Sequence, residues 1–129
     1  MAGAVTVRGK PAVRRSAGNR VSRKATPEAL ILRAIRDGLT LRRIIHYRFN
    51  SGSLAIPGKH GLPSRYFKAS FAGCPDLMVM LPGSAGWIEV KSPRGRLSLP
   101  QQAFRDQCRC LGIPWLLARS WGDVEGWLP

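Results

Sequence analysis

Three charged side chains accompany two neighbouring apolar runs in the middle of the chain. Asp76 precedes the run 77–81, and Glu89 and Lys91 lie at the end of the run 87–90. Turn residues between the runs predict a β-hairpin, and alternation along its second strand puts Glu89 and Lys91 on one face. Carboxylates are oxygen ligands for Mg²⁺ or Mn²⁺, and a lysine can orient a water or neutralise charge on phosphorus. The three residues therefore predict metal-assisted hydrolysis of a phosphodiester bond.

The register of this hairpin decides whether Asp76 reaches the other two charged residues. A four-residue loop over 82–85 places Asp76 opposite Lys91 and diagonal to Glu89, so that all three converge. A five-residue loop over 82–86 places Asp76 on the other face. We predict the four-residue loop, because charges beside buried strand positions are costly unless they are paired or bind a metal.

The spacing of these residues is similar to that of a known nuclease motif. PD at 75–76, thirteen positions from Asp76 to Glu89, and then E-x-K resemble the PD-(D/E)xK nuclease superfamily. The longer string, G-x-PDL followed by IEVK-x-P-x-GRLS-x-x-Q, resembles the VRR-NUC (virus-type replication-repair nuclease) domain over about residues 26–120. The resemblance implies an α/β fold, in which a small mixed β-sheet flanked by helices forms a restriction-endonuclease-like PD-(D/E)xK core.

The resemblance also implies roles for individual residues. Asp76 and Glu89 would hold Mg²⁺ or Mn²⁺ with help from the Val90 carbonyl, and Lys91 would position or activate the water. Related nucleases often place an accessory metal ligand on the first helix, where Glu28 is the candidate. A surface acid that complements the helix dipole is an equally good interpretation of Glu28.

Gln101 has two competing interpretations. The sequence SLPQ over 98–101 matches the S-x-x-Q capping box, in which the Gln101 side chain reaches back to the Ser98 backbone. The family resemblance implies instead that a glutamine at this place belongs to the active site. The two roles compete for one side-chain amide, and the resemblance favours the catalytic role.

Charge and cysteine content narrow the class of protein. The chain has 129 residues, with 21 Lys and Arg, 7 Asp and Glu, and a formal charge of +14. This excess of positive charge predicts an anionic partner. DNA or another nucleic acid is the first candidate, and an anionic membrane surface is the second. Three cysteines without a C-x-x-C pair disfavour a disulfide framework or a zinc site and fit a reducing cytoplasm, which the resemblance places in a bacterial or phage-infected cell. No apolar run is long enough to predict a membrane span.

Basic residues outside the motif are expected to contact DNA phosphates. Residues 1–25 contain no acid and are interrupted by Gly, Pro and Ser, which predicts a disordered basic arm before a nuclease domain over 26–129. A solvated tail and an organellar transit peptide are alternatives for the arm. The predicted DNA-binding residues are Arg94, Arg96, Lys59, Arg14, Arg15, Arg23 and Lys24.

Periodicity and turn residues predict the elements before the hairpin. A helix capped by Thr26 begins the domain, and Gly38 ends or bends it. Strands are predicted at 45–50, with one buried face, and at 65–71, with a loop over 50–64 between them.

The elements after the hairpin follow the same rules. A helix from Ser98 to Gly112 carries a core stripe that includes Leu111. A strand over 115–118 is predicted parallel to a hairpin strand, and a final short helix over 120–128.

Together these features predict a Mg²⁺- or Mn²⁺-dependent DNA endonuclease that selects junctions or branched DNA in phage-type replication, recombination or repair. Small stand-alone relatives resemble Holliday-junction resolvases, and symmetrical cutting of two strands needs two sites, so a homodimer is expected. The alternative is a non-catalytic nucleic-acid-binding protein on a nuclease fold. A degenerate site would be expected to lose at least one of Asp76, Glu89, Lys91 and Gln101, and all four are present.

Overall fold

The computed structural model describes residues 3, 24–49, 53–58, 60, 63–68 and 70–129, and for 53–57 and 63–68 it describes the backbone alone. In chain order, the elements of this part of the chain are α1 (Pro27–Leu41), β1 (His46–Arg48), β2 (Ser53–Pro57), β3 (Pro63–Lys68), β4 (Leu77–Leu81), β5 (Ser84–Val90), α2 (Leu99–Leu111), β6 (Trp115–Ala118) and α3 (Trp121–Trp127). None of the helices in these ranges has the length and apolar character that a membrane crossing requires.

Four of the strands form one mixed sheet in the order β1-β4-β5-β6, and β2 and β3 form a separate antiparallel pair. Strands β1 and β5 lie antiparallel to β4, whereas β6 lies parallel to β5. The parallel pair is connected through α2, as a return to the same end of a sheet requires. The predicted α/β architecture, a small mixed sheet flanked by helices, is confirmed.

The predicted loop over 50–64 is wrong for part of its length. Residues Ser53–Pro57 form β2 and pair with β3, with a register shift between Ile56 and Pro57. The prolines stand at the ends of the strands, where a missing N–H interrupts the ladder least. Composition predicted a loop because it could not show that a partner strand is present to pair with this segment.

The hairpin of β4 and β5 is tighter than predicted. Leu81 pairs with Ser84, so Pro82 and Gly83 alone make the turn. Gly83 has a φ of 68°, a left-handed conformation that two-residue hairpin turns favour and that glycine adopts readily. The predicted four-residue loop is therefore wrong by two residues. A shift of two residues keeps every side chain on its predicted face.

Helix α1 begins as predicted but does not end at Gly38. The Thr26 hydroxyl accepts the N–H of Ala29 over 3.2 Å and caps the helix. The helix continues past Gly38 to Leu41. Trp121 of α3 packs so closely that a Cβ at Gly38 would lie 2.6 Å from its ring. Close packing, rather than a helix end, explains this glycine.

The hydrophobic core lies between one face of the four-stranded sheet and the helices α1 and α3. Its buried members are Leu32, Ile35, Leu39, Leu77, Val79, Ile88, Val90, Ala118 and Val124. The predicted buried face of the first strand is wrong, since Ile45 and Tyr47 are 60% and 54% exposed. These side chains are exposed because β1 is at one edge of the sheet, whereas α2 packs near β6 at the other edge. Leu111, predicted as core, is also exposed, because it lies at the last residue of α2.

The elements after the hairpin are confirmed. Ser98 caps α2, and Gly112 ends it in the left-handed conformation with a φ of 69°. The following strand is parallel to β5, and the short C-terminal helix is α3. Because α2 lies on the sheet face opposite the core, its first turn reaches the charged residues of β5.

Candidate active site

Asp76 and Glu89 lie side by side at one end of the four-stranded sheet. Asp76 immediately precedes β4, and extending the hairpin register by one pair places it opposite Glu89 rather than opposite Lys91. The Asp76 carbonyl accepts the N–H of Phe49 over 2.8 Å, and its Oδ2 accepts the N–H of Val90 over 2.8 Å. The first bond ties Asp76 to the end of β1 and the second holds its carboxylate against β5. The convergence predicted from the sequence is therefore present, although the predicted register is not.

Glu89 is the one buried charged residue in the described part of the chain, with 3% of its surface exposed. Its Oε1 accepts a hydrogen bond from Nε2 of Gln101 over 2.8 Å and lies 3.2 Å from Nζ of Lys91. Burial, together with the neighbouring negative charge of Asp76, raises the pKa of Glu89 to about 7, although Lys91 acts in the opposite direction. The site therefore holds a carboxyl group close to its protonation midpoint at neutral pH.

The carboxyl group of Asp76 is also disfavoured as an anion. Burial raises its pKa, and the hydrogen bond from the Val90 N–H opposes this effect. The negative charge of Glu28 raises the pKa further, whereas the positive charges of Lys91 and Arg48 lower it. Both neighbouring carboxyl groups therefore ionise less readily than usual, and a cation bound between them would stabilise their ionised forms.

Gln101 performs two tasks with two different atoms. Its Oε1 accepts the N–H of Ser98 over 2.8 Å, and Oγ of Ser98 accepts the N–H of Gln101 over 3.3 Å, which completes a capping box. Its Nε2 donates to Glu89. The predicted competition between cap and site is therefore wrong, because the amide oxygen serves the helix and the amide nitrogen serves the carboxylate.

Gly73 brings the start of α2 close to the segment before Asp76. It has a φ of 80°, and a Cβ at this position would lie 2.3 Å from the carbonyl oxygen of Pro100. Since Pro100 precedes Gln101, this contact sets the distance between the first turn of α2 and the acidic pair. The sequence indicated this glycine only as the first position of the G-x-PDL motif, and its steric role was not predicted.

An aromatic cluster adjoins the acidic pair on the same face of the sheet. Trp87 lies two residues before Glu89 on β5, and the ring centroids of Phe49 and Phe104 are 5.4 and 5.5 Å from the Trp87 ring. Phe71 lies 5.1 Å from Phe104. Aromatic pairs at these separations attract one another, so the cluster holds α2 against the sheet.

A hard divalent cation fits the two carboxylates. Asp76 uses Oδ2 and Glu89 uses Oε1 for hydrogen bonds from the protein. Among the described residues, Oδ1 of Asp76 and Oε2 of Glu89 accept no hydrogen bond, which leaves one oxygen of each for a cation. The same part of the chain contains no group of three His, Cys, Asp or Glu side chains that could hold a metal ion. A pair of carboxylates suits Mg²⁺ or Mn²⁺, which complete their coordination with water and substrate phosphate.

The two other predicted metal ligands are near this pair. Glu28 is half-buried in the first turn of α1, and its charge raises the pKa of both Asp76 and Glu89, but it does not form a compact group with them. Val90 donates its N–H to Asp76 and buries its side chain in the core. Metal ligation by Glu28 and by the Val90 carbonyl stays a prediction.

The loop between β5 and α2 presents Arg94 and Arg96, both exposed. The N–H of Gly95 donates to the Ser92 carbonyl over 3.0 Å and closes a turn. Arg119, at the end of β6, donates from Nη1 to the carbonyls of both Ser92 and Gly95, the second over 2.9 Å. Sequence reasoning missed Arg119, because it lies 24 residues beyond Gly95 and its partners are backbone atoms. The one feature of the sequence that could have indicated Arg119 is its position as a basic residue directly after β6, the strand parallel to β5.

The other predicted DNA contacts come earlier in the sequence than this loop. Lys24 is exposed shortly before α1. The predicted residues that lie outside the described part of the chain are Arg14, Arg15, Arg23 and Lys59, together with most of the predicted arm.

Comparison with curated proteins finds no match. The family model described as the VRR-NUC domain matches residues 27–121, a stretch that includes every described residue of the site from Glu28 to Arg119. This family belongs to the PD-(D/E)xK superfamily, whose nucleases generally depend on a divalent metal ion. Because the match spans most of the chain, the chain belongs to the VRR-NUC family and is a nuclease of the PD-(D/E)xK type.

Proposed function

We propose that this nuclease is a Mg²⁺- or Mn²⁺-dependent DNA endonuclease that cuts branched DNA, such as a four-way junction. The observation that carries the proposal is the adjacency of Asp76 and Glu89, each with one carboxylate oxygen that no described protein group occupies. A divalent cation held by these oxygens supplies the Lewis acidity that phosphodiester hydrolysis needs.

Lys91 adds a proton donor and a positive charge at the same place. Its ammonium group lies 3.2 Å from Glu89, and 14% of the side chain is exposed, so a substrate phosphate can reach it. Lys91 would orient the attacking water and neutralise charge that develops on the phosphate. Gln101 fixes the Glu89 carboxylate through Oε1, which leaves Oε2 for the cation.

The basic surface supports recognition of the DNA backbone. Arg94 and Arg96 are exposed on the loop that directly follows Lys91, and the net charge of +14 favours phosphate binding. Contacts with phosphates position a protein on DNA but do not read bases. We therefore propose selection by DNA structure, with further phosphate contacts from the arm over residues 1–25.

Cleavage of two strands at a junction requires two sites, and each protomer carries one. We therefore propose a homodimer that acts in phage-type replication, recombination or repair, in the cytoplasm of a bacterial or phage-infected cell. Sedimentation equilibrium should show dimers at working concentration. Sedimentation as a monomer alone would contradict the homodimer.

The testing experiment is cleavage of labelled duplex, single-stranded, flap and four-way-junction DNA with Mg²⁺, Mn²⁺ or EDTA. Wild type should cut branched DNA only with metal, and Asp76→Ala and Lys91→Ala should not cut. Asp106→Ala is the matched control, because it removes an exposed carboxylate of α2 and should retain activity. DNA binding by all four proteins without any cutting would favour a non-catalytic binding protein instead.

A further inference from the structure

We propose that a groove between α1 and β1 holds a strand of nucleic acid that extends beyond the active site. This inference rests on the proposed function and names the path of its substrate. The groove has a volume of about 410 Å³. Its lining residues are Ala29, Leu32, Arg33, Arg36, Asp37, Thr40 and Arg48.

The groove begins beside the acidic pair. Arg48 is the last residue of β1 and pairs in register with Leu77, the residue after Asp76. The next residue, Phe49, donates its N–H to the Asp76 carbonyl over 2.8 Å. On the other wall, Ala29 follows Glu28, the acid of α1 whose charge acts on Asp76. Both walls of the groove therefore start at the site.

The length of the groove suits several nucleotides. Its α1 wall runs from Ala29 to Thr40. Eleven residues of helix rise roughly 16 Å, at about 1.5 Å per residue. One strand of B-form DNA advances about 3.4 Å per nucleotide, so this wall spans about five nucleotides. The groove is therefore longer than a single phosphate contact requires.

The lining chemistry suits a sugar–phosphate backbone. Arg33 and Arg36 are exposed along α1, and Arg48 faces them from β1. Within the described residues, none of these three guanidinium groups forms an ion pair or a hydrogen bond, and Asp37 is the single acid of the lining. Guanidinium groups bind phosphate oxygens through paired donors, which makes a row of them a path for a phosphodiester chain.

The test compares two variants with equal loss of charge. Arg33→Gln/Arg36→Gln removes two arginines of the groove, and Arg105→Gln/Arg109→Gln removes two from α2. Each pair is placed on a Lys91→Ala background in EDTA, so that binding of a labelled DNA strand is measured without cleavage. The groove variant should bind roughly 25-fold more weakly than its parent near 0.1 M salt, and the slope of log affinity against log salt should fall by about 1.4, since each of the two lost phosphate contacts on a single strand contributes about 0.7. The α2 variant should match its parent.

A second measurement does not depend on variants. Phenylglyoxal modifies accessible arginines, and mass spectrometry reads the sites. Bound DNA should protect Arg33 and Arg36 and leave Arg109 accessible. Equal weakening of binding by both variant pairs, or equal protection of all three arginines, would overturn the groove and leave only a general charge effect. Because both readouts report binding, they stand apart from a failure of the cleavage experiment.

Discussion

The side-chain nitrogen of Gln101 donates to Oε1 of Glu89 over 2.8 Å while the oxygen of the same amide accepts the N–H of Ser98. A helix cap and an active-site contact thus share one residue. The two hydrogen bonds also assign the amide orientation, since only the nitrogen can donate to a carboxylate and only the oxygen can accept an N–H.

Substitution of Gln101 should affect catalysis and stability together. Gln101→Ala removes both bonds, so turnover should fall at least about tenfold, and the free energy of unfolding should fall by about 1 kcal/mol. Ser98→Ala is the matched control, because it removes the hydroxyl of the cap but leaves the Gln101–Glu89 bond. It should lose similar stability and keep most of its turnover. Equal loss of turnover in both variants would show that Gln101 acts only through the helix.

The stability of the metal-free protein should depend on pH through Glu89. Its pKa is raised from 4.5 to about 7, so the folded state disfavours the ionised group. The stabilisation by protonated Glu89 is complete below pH 4.5 and is lost as pH rises through about 7. A shift of this size corresponds to a change on the order of 3 kcal/mol. Thermal melts in EDTA should show this fall in wild type and a flatter profile in Glu89→Gln.

Binding of Mn²⁺ should raise the melting temperature without any DNA present. The rise should disappear in Asp76→Asn and Glu89→Gln, because each loses a carboxylate of the pair, and should persist in Asp106→Asn. At a metal concentration one hundred times Kd, binding adds about 2.7 kcal/mol to the free energy of unfolding. Glu28→Gln tests the predicted accessory ligand, since a nearby charge that does not touch the metal should change Mn²⁺ binding by only about threefold. Loss of binding equal to that of Asp76→Asn would instead make Glu28 a ligand.

Arg119 should act on cleavage through the turn that it holds. Arg119→Gln removes the donor shared by the Ser92 and Gly95 carbonyls, so the loop that follows Lys91 loses its anchor. We expect turnover to fall roughly tenfold, with a loss of stability of about 1–2 kcal/mol. Arg109→Gln, which removes an exposed arginine of α2, is the control and should leave both unchanged. Wild-type turnover in Arg119→Gln would show that the turn does not need this anchor.

Local signals in the sequence were enough to predict the elements around the site. The caps Thr26 and Ser98, the C-terminal Gly112 and the alternation of β5 depend on neighbours within a few residues, and the structure has them all. The face shared by Glu89 and Lys91 follows from the period of a strand alone. For the same reason, an error of two residues in the hairpin register did not remove Asp76 from that face.

Contacts between distant parts of the chain could not be predicted in this way. Strand β2 depends on its pairing with β3, and the helical Gly38 depends on a tryptophan from α3. Arg119 binds backbone carbonyls, which leave no pattern of side chains in the sequence. The double use of the Gln101 amide could not be found either, because it requires knowing that α2 begins beside Glu89.

The contact between Gly73 and Pro100 has a consequence for mutational scanning. A methyl group at position 73 would collide with the helix backbone in a conformation that already favours glycine, and would push Gln101 away from Glu89. In a screen for lost cleavage, Gly73→Ala should therefore lose activity as Lys91→Ala does, although residue 73 has no group that could take part in the reaction. An inventory of active residues built from such a screen would include a position whose whole contribution is the space that it leaves empty.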